Sequence, residues 1–213
     1  MTRCPAARLL GSVAAVAGAL PIVLLTSPIA DAAPCPDVEV VFARGTTEPP
    51  GVGGIGQAFV DSVRAQAGGR SVGVYAVNYP ASRDFGTSTP AGADDAAAHI
   101  RSMAASCPGT RMVLGGYSQG AAVIDLATNA APPEAADHVA AAALFGGPRS
   151  AFADSLSAGP LPATAPGYVG KTIELCAPND PICADGGWDM RAHGAYVQNG
   201  MVQQAASFAA ERL

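Results

Sequence analysis

Arg111-Met112-Val113-Leu114-Gly115-Gly116-Tyr117-Ser118-Gln119-Gly120-Ala121-Ala122-Val123-Ile124-Asp125-Leu126 is the stretch on which the reading of this chain turns. Its first half is a short apolar run of the kind that fills a strand buried on both faces, and its second half suits a helix. Between them stands Gly116-x-Ser118-x-Gly120. A serine at a sharp strand-to-helix turn exposes its hydroxyl, and glycines two residues to either side let neighbouring backbones approach closely. The stretch therefore predicts a nucleophile at Ser118 and, with it, a strand-helix fold.

The same alternation extends in both directions. Val38–Ala43, Val72–Asn78, Val139–Phe145 and Thr172–Cys176 read as further strands apolar on both faces. Ala91 to Ser106 reads as a helix with Ala96, Ile100 and Met103 on one stripe and Asp94 and Asp95 in its first turn. Met201, Val202, Ala205, Phe208 and Ala209 mark a last helix by their spacing of three and four. Strands alternating with helices across one domain imply a mostly parallel, doubly wound α/β sheet in a three-layer α/β/α sandwich. The Ser-, Gly- and Pro-rich stretch from Gly146 to Gly170 is expected to cover the surface near the carboxyl ends of the strands, with no room for a lid domain.

A serine hydroxyl needs a base, and the chain has three histidines: His99, His138 and His193. His99 lies in a helix pattern before the nucleophile, and His138 begins a strand at the far end of the sheet. His193 follows the last strand, where the base belongs in a fold whose chain order is serine, acid, histidine. The acid is then Asp180, Asp185 or Asp189. Asp180 ranks first because it lies between Cys176 and Cys183, where a closed ring would hold a carboxylate still. For the oxyanion, the donors expected are the Gln119 backbone N–H and one from Arg44-Gly45-Thr46-Thr47-Glu48, with Thr46 or Thr47 able to add a hydroxyl. Gly51-x-Gly53-x-x-Gly56 matches a dinucleotide fingerprint, but two prolines separate it from the strand and no acidic residue follows at ribose distance. These glycines read as a flexible loop rim.

Arg3 and Arg8 precede an uncharged, Ala-, Val- and Leu-rich run from Leu9, and Ala30-Asp31-Ala32 supplies small residues for cleavage after Ala32. Residues 1–32 therefore read as a secretory signal rather than a retained anchor, and 33–213 as one domain. Without the signal the chain holds ten basic and sixteen acidic residues, a net charge near −6 with no basic cluster, which argues against nucleic acid as a partner. Cys4 leaves with the signal, so Cys35, Cys107, Cys176 and Cys183 remain, an even number that reads as two disulfides in an exported chain. Of three possible connectivities, Cys176 with Cys183 is the natural short-range pair, which leaves Cys35 with Cys107. Zinc is disfavoured by the absence of CxxC spacing and of a nearby histidine pair.

Val41-Phe42-Ala43-Arg44-Gly45-Thr46, Gly115-Gly116-Tyr117-Ser118-Gln119-Gly120, and Cys176-x-x-x-Asp180-x-x-Cys183 followed by His193 together resemble the cutinase family, in particular the secreted cutinase-like proteins of mycobacteria and related actinobacteria. The resemblance runs from Cys35 to the final helix. It implies an α/β-hydrolase fold with a five-stranded parallel sheet and no large lid, and Ser118, Asp180 and His193 as nucleophile, acid and base. It also implies Thr46 and Gln119 in the oxyanion hole and disulfides Cys35–Cys107 and Cys176–Cys183. The chain departs from fungal cutinases in carrying Thr46 where they have serine, and in the stretch Ala184–Met190, so the resemblance does not extend to cutin as substrate.

The reading predicts hydrolysis of carboxylic, fatty acyl esters through an acyl-enzyme, with no cofactor and no metal. Lipase, phospholipase or acyltransferase chemistry on the same residues and a catalytically inert secreted antigen or binding protein are the alternatives. The expected partners are a small-molecule or lipid ester and peripheral contact with envelope lipid, for a monomer outside the cell.

Overall fold

The computed structural model describes Met1, residues 34–157 and residues 159–213. The signal expected at residues 1–32 lies outside the described residues apart from Met1. Pro34–Leu213 forms a compact unit of its own.

Five strands make one parallel sheet: β1 (Val38–Ala43), β2 (Val72–Ala76), β3 (Arg111–Tyr117), β4 (Val139–Phe145) and β5 (Thr172–Leu175), in the order β2-β1-β3-β4-β5. All six residues of β1 and all seven of β4 are buried, the signature of strands covered on both faces. Successive side chains separate into two cores. Val41, Met112, Leu114, Ala142 and Leu144 pack under α2 (Phe85–Ser106) and α3 (Gln119–Ala130). Val40, Phe42, Val113, Ala143 and Phe145 pack under α1 (Gly53–Gln66) and the carboxyl-terminal helix (Met201–Ala210). The expected three-layer architecture is therefore present, with β3 central.

Register brings the functional loops together. Ala43 of β1 lies opposite Gly116 of β3, and Tyr117 lies opposite Phe145 of β4, which in turn pairs with Leu175 of β5. The segments that follow these residues, Arg44–Glu48, Ser118, Gly146 onward and Cys176–Cys183, thus leave the sheet side by side at its carboxyl edge.

Four expectations change. β2 and β5 end at Ala76 and Leu175, one or two residues early. The helix expected from Ala91 starts at Phe85 and runs through Pro90, so Asp94 and Asp95 lie beyond its first turn. Pro90 is in the second turn and removes only the bond that would reach Gly86, while Ser88 N–H donates to Asp84 C=O and opens the helix. The stretch Gly146–Gly170 contains two short helices, α4 (Ala151–Ser157) and α5 (Pro166–Val169); the carboxyl-terminal helix is then α6. Finally, the glycines after Gly51 are not a loop rim. Gly53 begins α1, and a Cβ on Gly56 would stand 2.6 Å from the Phe42 ring, so Gly56 lets the helix lie close on the sheet.

Two disulfides are present, Cys35–Cys107 and Cys176–Cys183, which excludes these four cysteines as thiolate ligands for zinc. Among the described residues no helix is long and apolar enough to cross a membrane.

Candidate active site

Ser118 occupies the single residue between β3 and α3 and has φ 55° and ψ −120°, a conformation L residues rarely adopt. The turn survives because its neighbours lack side chains. A Cβ on Gly116 would stand 2.2 Å from Gly120 C=O, and one on Gly120 would stand 2.0 Å from Ala43 C=O. Ser118 N–H donates to Phe145 C=O at 2.8 Å, which ties the turn to β4.

His193 Nε2 lies 2.9 Å from Ser118 Oγ, and His193 Nδ1 lies 2.8 Å from Asp180 Oδ2. A carboxylate only accepts, so Nδ1 carries the proton and Nε2 is left to accept from the serine hydroxyl. Asp180 is fully buried inside the Cys176–Cys183 ring. Burial pushes its pKa up, but hydrogen bonds from His193, Tyr196 and the Ile182 N–H outweigh it and hold the carboxyl below the ordinary carboxylate range. Asp185 instead accepts the Ala151 N–H, and Asp189 is engaged by Arg191, so neither faces His193. His99 pairs with Glu39 at 2.7 Å and stacks on Tyr75, and His138 precedes β4 at the opposite end of the sheet.

The loop after β1 separates Thr46 from Thr47. Thr47 is in a left-handed conformation with φ 65° and spends its N–H on Ala81 C=O at 2.7 Å. The Thr46 N–H bonds no protein group among the described residues, and Thr46 and Ser118 line one cleft. Gln119 begins α3, whose first N–H groups have no partner within the helix. Its side chain is buried and points elsewhere, donating from Nε2 to Ser82 C=O at 3.0 Å and accepting from Ser88 Oγ at 3.4 Å.

Four supporting residues escaped the sequence reading. Glu48 accepts from Gly45 N–H at 2.6 Å and Gly54 N–H at 2.9 Å, so one carboxylate clamps the Thr46 loop to the first turn of α1. Tyr196 is fully buried and donates to Asp180 Oδ2 at 2.5 Å. Its signal was His193-x-x-Tyr196, since residues three apart in a tight turn share a face. Tyr117 donates to His193 C=O at 2.7 Å and packs its ring 5.0 Å from the imidazole. Gly146, at φ 56°, leaves room for the acid: a Cβ there would be 2.7 Å from Tyr196 Oη and 3.0 Å from Asp180 Oδ2.

Two cavities meet at Ser118. One is predominantly apolar and runs under α4, with Phe85, Ala122, Leu156, Leu161 and Ile182 in its walls. The other is larger, more open and more polar; it shares Phe85, Leu156 and Ile182 with the first and adds Thr46, Arg83, Tyr117, Met190 and His193.

This geometry has close counterparts. Residues 34–213 match the family model described as Cutinase. The chain is 57% identical to Carboxylesterase Culp1 of Mycobacterium tuberculosis over 214 residues, covering 100% of this chain and 98% of that protein. It is 51% identical to Phospholipase Culp4 of the same organism, covering 99% and 95%. Among solved structures, a Trichoderma reesei cutinase shares the fold at a TM-score of 0.68 and 35% identity, over 84% of this chain and 77% of that one. The parallel sheet with helices on both faces is thus an α/β-hydrolase fold. Since the family match spans every described strand and helix, and full-length relatives share half or more of their residues with it, the chain belongs to the cutinase family of carboxylic ester hydrolases.

Proposed function

We propose that the chain is a secreted serine esterase that hydrolyses fatty acyl esters through an acyl-enzyme on Ser118. The observation that carries this reading is the unbroken hydrogen-bond chain from Ser118 Oγ through His193 to buried Asp180, at 2.9 and 2.8 Å. As Ser118 Oγ attacks the ester carbonyl, His193 Nε2 takes the hydroxyl proton. Asp180 keeps Nδ1 protonated and stabilises the imidazolium that forms. The N–H groups of Thr46 and Gln119, with the Thr46 hydroxyl, receive the charge that develops on the carbonyl oxygen. His193 then returns the proton to the departing alkoxide, and water, deprotonated by the same imidazole, releases the acid.

Replacing Ser118 by Ala tests the assignment. Turnover of p-nitrophenyl esters is expected to fall by about a thousandfold or more, with the melting temperature close to that of the wild type. A fluorophosphonate probe should label the wild type and not the variant; the Trichoderma reesei cutinase was solved with a phosphonate inhibitor. Retained turnover in the variant overturns the role of Ser118, and an unlabelled, inactive wild type favours a binding protein that keeps only the fold.

A second reading, cleavage of phospholipid esters, is favoured by two observations. Phospholipase Culp4 is a full-length relative, and exposed Arg83 places a cation in the open cleft beside Ser118. Fatty acid release from phosphatidylglycerol vesicles, compared with release from a neutral triglyceride, separates the two substrate classes. For export, the amino-terminal signal is the support, and the mass of the protein recovered outside the cell should correspond to a chain that starts at Ala33.

A further inference from the structure

We infer that the segment after β2, residues 77–82, is a brace that sets the spacing of the two oxyanion donors, and that the side chains of Arg44 and Gln119, which clasp it at either end, are positioning residues for the reaction. The inference rests on the esterase reading above, in which the N–H groups of Thr46 and Gln119 receive the developing charge. Donors of this kind act only at the right distance from the oxygen, so whatever holds one against the other bears on the rate. Thr46 lies on the loop after β1 and Gln119 opens α3, segments far apart in the chain.

Arg44 directly follows β1 and is only 5% exposed. Among the described residues its guanidinium bonds main-chain carbonyls alone. Nε donates to Glu48 C=O at 2.8 Å, at the far end of the Thr46 loop. Nη2 donates to Tyr79 C=O at 2.7 Å and Nη1 to Val77 C=O at 3.4 Å, both in the brace. Tyr79, also buried, donates its hydroxyl back to Arg44 C=O. A buried guanidinium is costly unless its donors are met, and its fork reaches several carbonyls at once where an ammonium is a single point.

The other clasp explains why the Gln119 side chain turns away from Ser118. Its Nε2 donates to Ser82 C=O at 3.0 Å, and the Ser88 hydroxyl bridges the pair by donating to Gln119 Oε1 at 3.4 Å and accepting the Ser82 N–H at 3.1 Å. The amide that grips the brace and the main-chain N–H that faces the oxyanion thus belong to one residue. Between the clasps the backbone is strained. Thr47 N–H donates to Ala81 C=O at 2.7 Å, and these two residues have φ 65° and 50°. Residues other than glycine keep such conformations where their surroundings over-determine them, and this strain gathers where a functional geometry is held.

Two variants test the brace. Gln119→Met keeps the main-chain N–H and the length of the side chain but loses both amide bonds, and Arg44→Lys keeps the charge but loses the fork. Both are assayed with p-nitrophenyl acetate, whose acyl group is too short to engage the apolar cavity. The second probe is a short alkyl trifluoromethyl ketone, which forms a tetrahedral adduct on a serine and depends on the oxyanion donors. Each variant should lose about 10- to 100-fold in kcat with KM within about threefold, and its affinity for the ketone should fall by the same factor as kcat/KM. Because both side chains act on one spacing, the double variant should lose little more than the worse single one. The pH dependence of kcat/KM should keep the wild-type shape, since Ser118, His193 and Asp180 are untouched; a general loosening of the site would move it. Melting temperature checks folding, and if Arg44→Lys does not fold, Gln119→Met decides alone. Losses confined to KM, an unchanged ketone affinity, or losses that multiply in the double variant overturn the inference, while wild-type turnover and fluorophosphonate labelling leave the esterase reading intact. Absence of both in the wild type removes that reading and the inference with it.

Discussion

Tyr196 Oη donates at 2.5 Å to Asp180 Oδ2, the same carboxylate oxygen that accepts from His193 Nδ1 at 2.8 Å. Asp180 is thus held by a phenol, an imidazole and the Ile182 N–H, all inside a buried site. Removing the phenol hydroxyl leaves the geometry of the ring closed by Cys176–Cys183 but withdraws one of the donors that favour the charged form.

Tyr196→Phe should therefore raise the Asp180 pKa towards the ordinary carboxylate value. kcat/KM should fall by about tenfold at neutral pH, the equivalent of about 1.4 kcal/mol, because the carboxylate that stabilises the forming imidazolium loses one of its donors. A pH-rate profile that superimposes on the wild type would show that the phenol does not support the acid.

The same carboxylate makes a pH prediction for the fold. Its folded pKa is depressed, so it contributes stability above the unfolded value of 3.8 that is lost as pH falls through the lower folded value. The Tyr196→Phe variant should lose less stability than the wild type between about pH 4 and pH 2, because less of the depression remains to be lost. Thermal melts across that window measure the difference.

Gly146→Ala should be more damaging than a typical surface change. The new methyl would stand 2.7 Å from Tyr196 Oη at a residue with φ 56°, so both steric overlap and backbone strain act on the acid's support. A stability loss of about 2–4 kcal/mol is expected, with kcat falling further than the melting temperature alone would explain. Denaturant unfolding and steady-state kinetics on one preparation check both.

Glu48→Gln keeps the shape of the side chain and one acceptor oxygen, but its amide NH2 then faces either Gly45 N–H or Gly54 N–H, both of which need an acceptor. Because these amides position the Thr46 loop, kcat should fall by about 10- to 100-fold with little change in KM, the pattern of a loss in oxyanion stabilisation. A rise in KM at constant kcat would point to substrate binding instead.

The two disulfides should separate in their effects. Replacing Cys35 and Cys107, 72 residues apart, should cost about 4 kcal/mol of stability by the chain-entropy estimate, whereas the ring of Cys176 and Cys183, 7 residues apart, should cost about 2.5 kcal/mol. Activity should follow the opposite order, because only the small ring carries Asp180. Serine variants of each pair, compared by unfolding and by ester turnover, test the contrast.

Hydrophobic periodicity and local turn chemistry were enough, from the sequence by itself, to determine the alternating sheet and the strand-to-helix elbow at Ser118, since both are short-range properties of the chain, while the proposal of His193 from three histidines rested on the chain order of serine, acid and histidine. They left Asp180, Asp185 and Asp189 open on spacing alone, and Thr46 undecided against Thr47. The tertiary structure separates these candidates by their contacts: across 34 residues Asp185 accepts from the Ala151 N–H and the Thr47 N–H donates to Ala81 C=O, Asp189 meets its near neighbour Arg191, and Asp180 meets His193. Pro90 concealed the start of α2 because its cost depends on where in the helix it falls, which a break signal does not encode. Glu48 and Gly146 were silent for the same reason as the aspartates. Their roles are created by strand register, which brings the ends of β1, β3, β4 and β5 to one edge and sets what each side chain meets there.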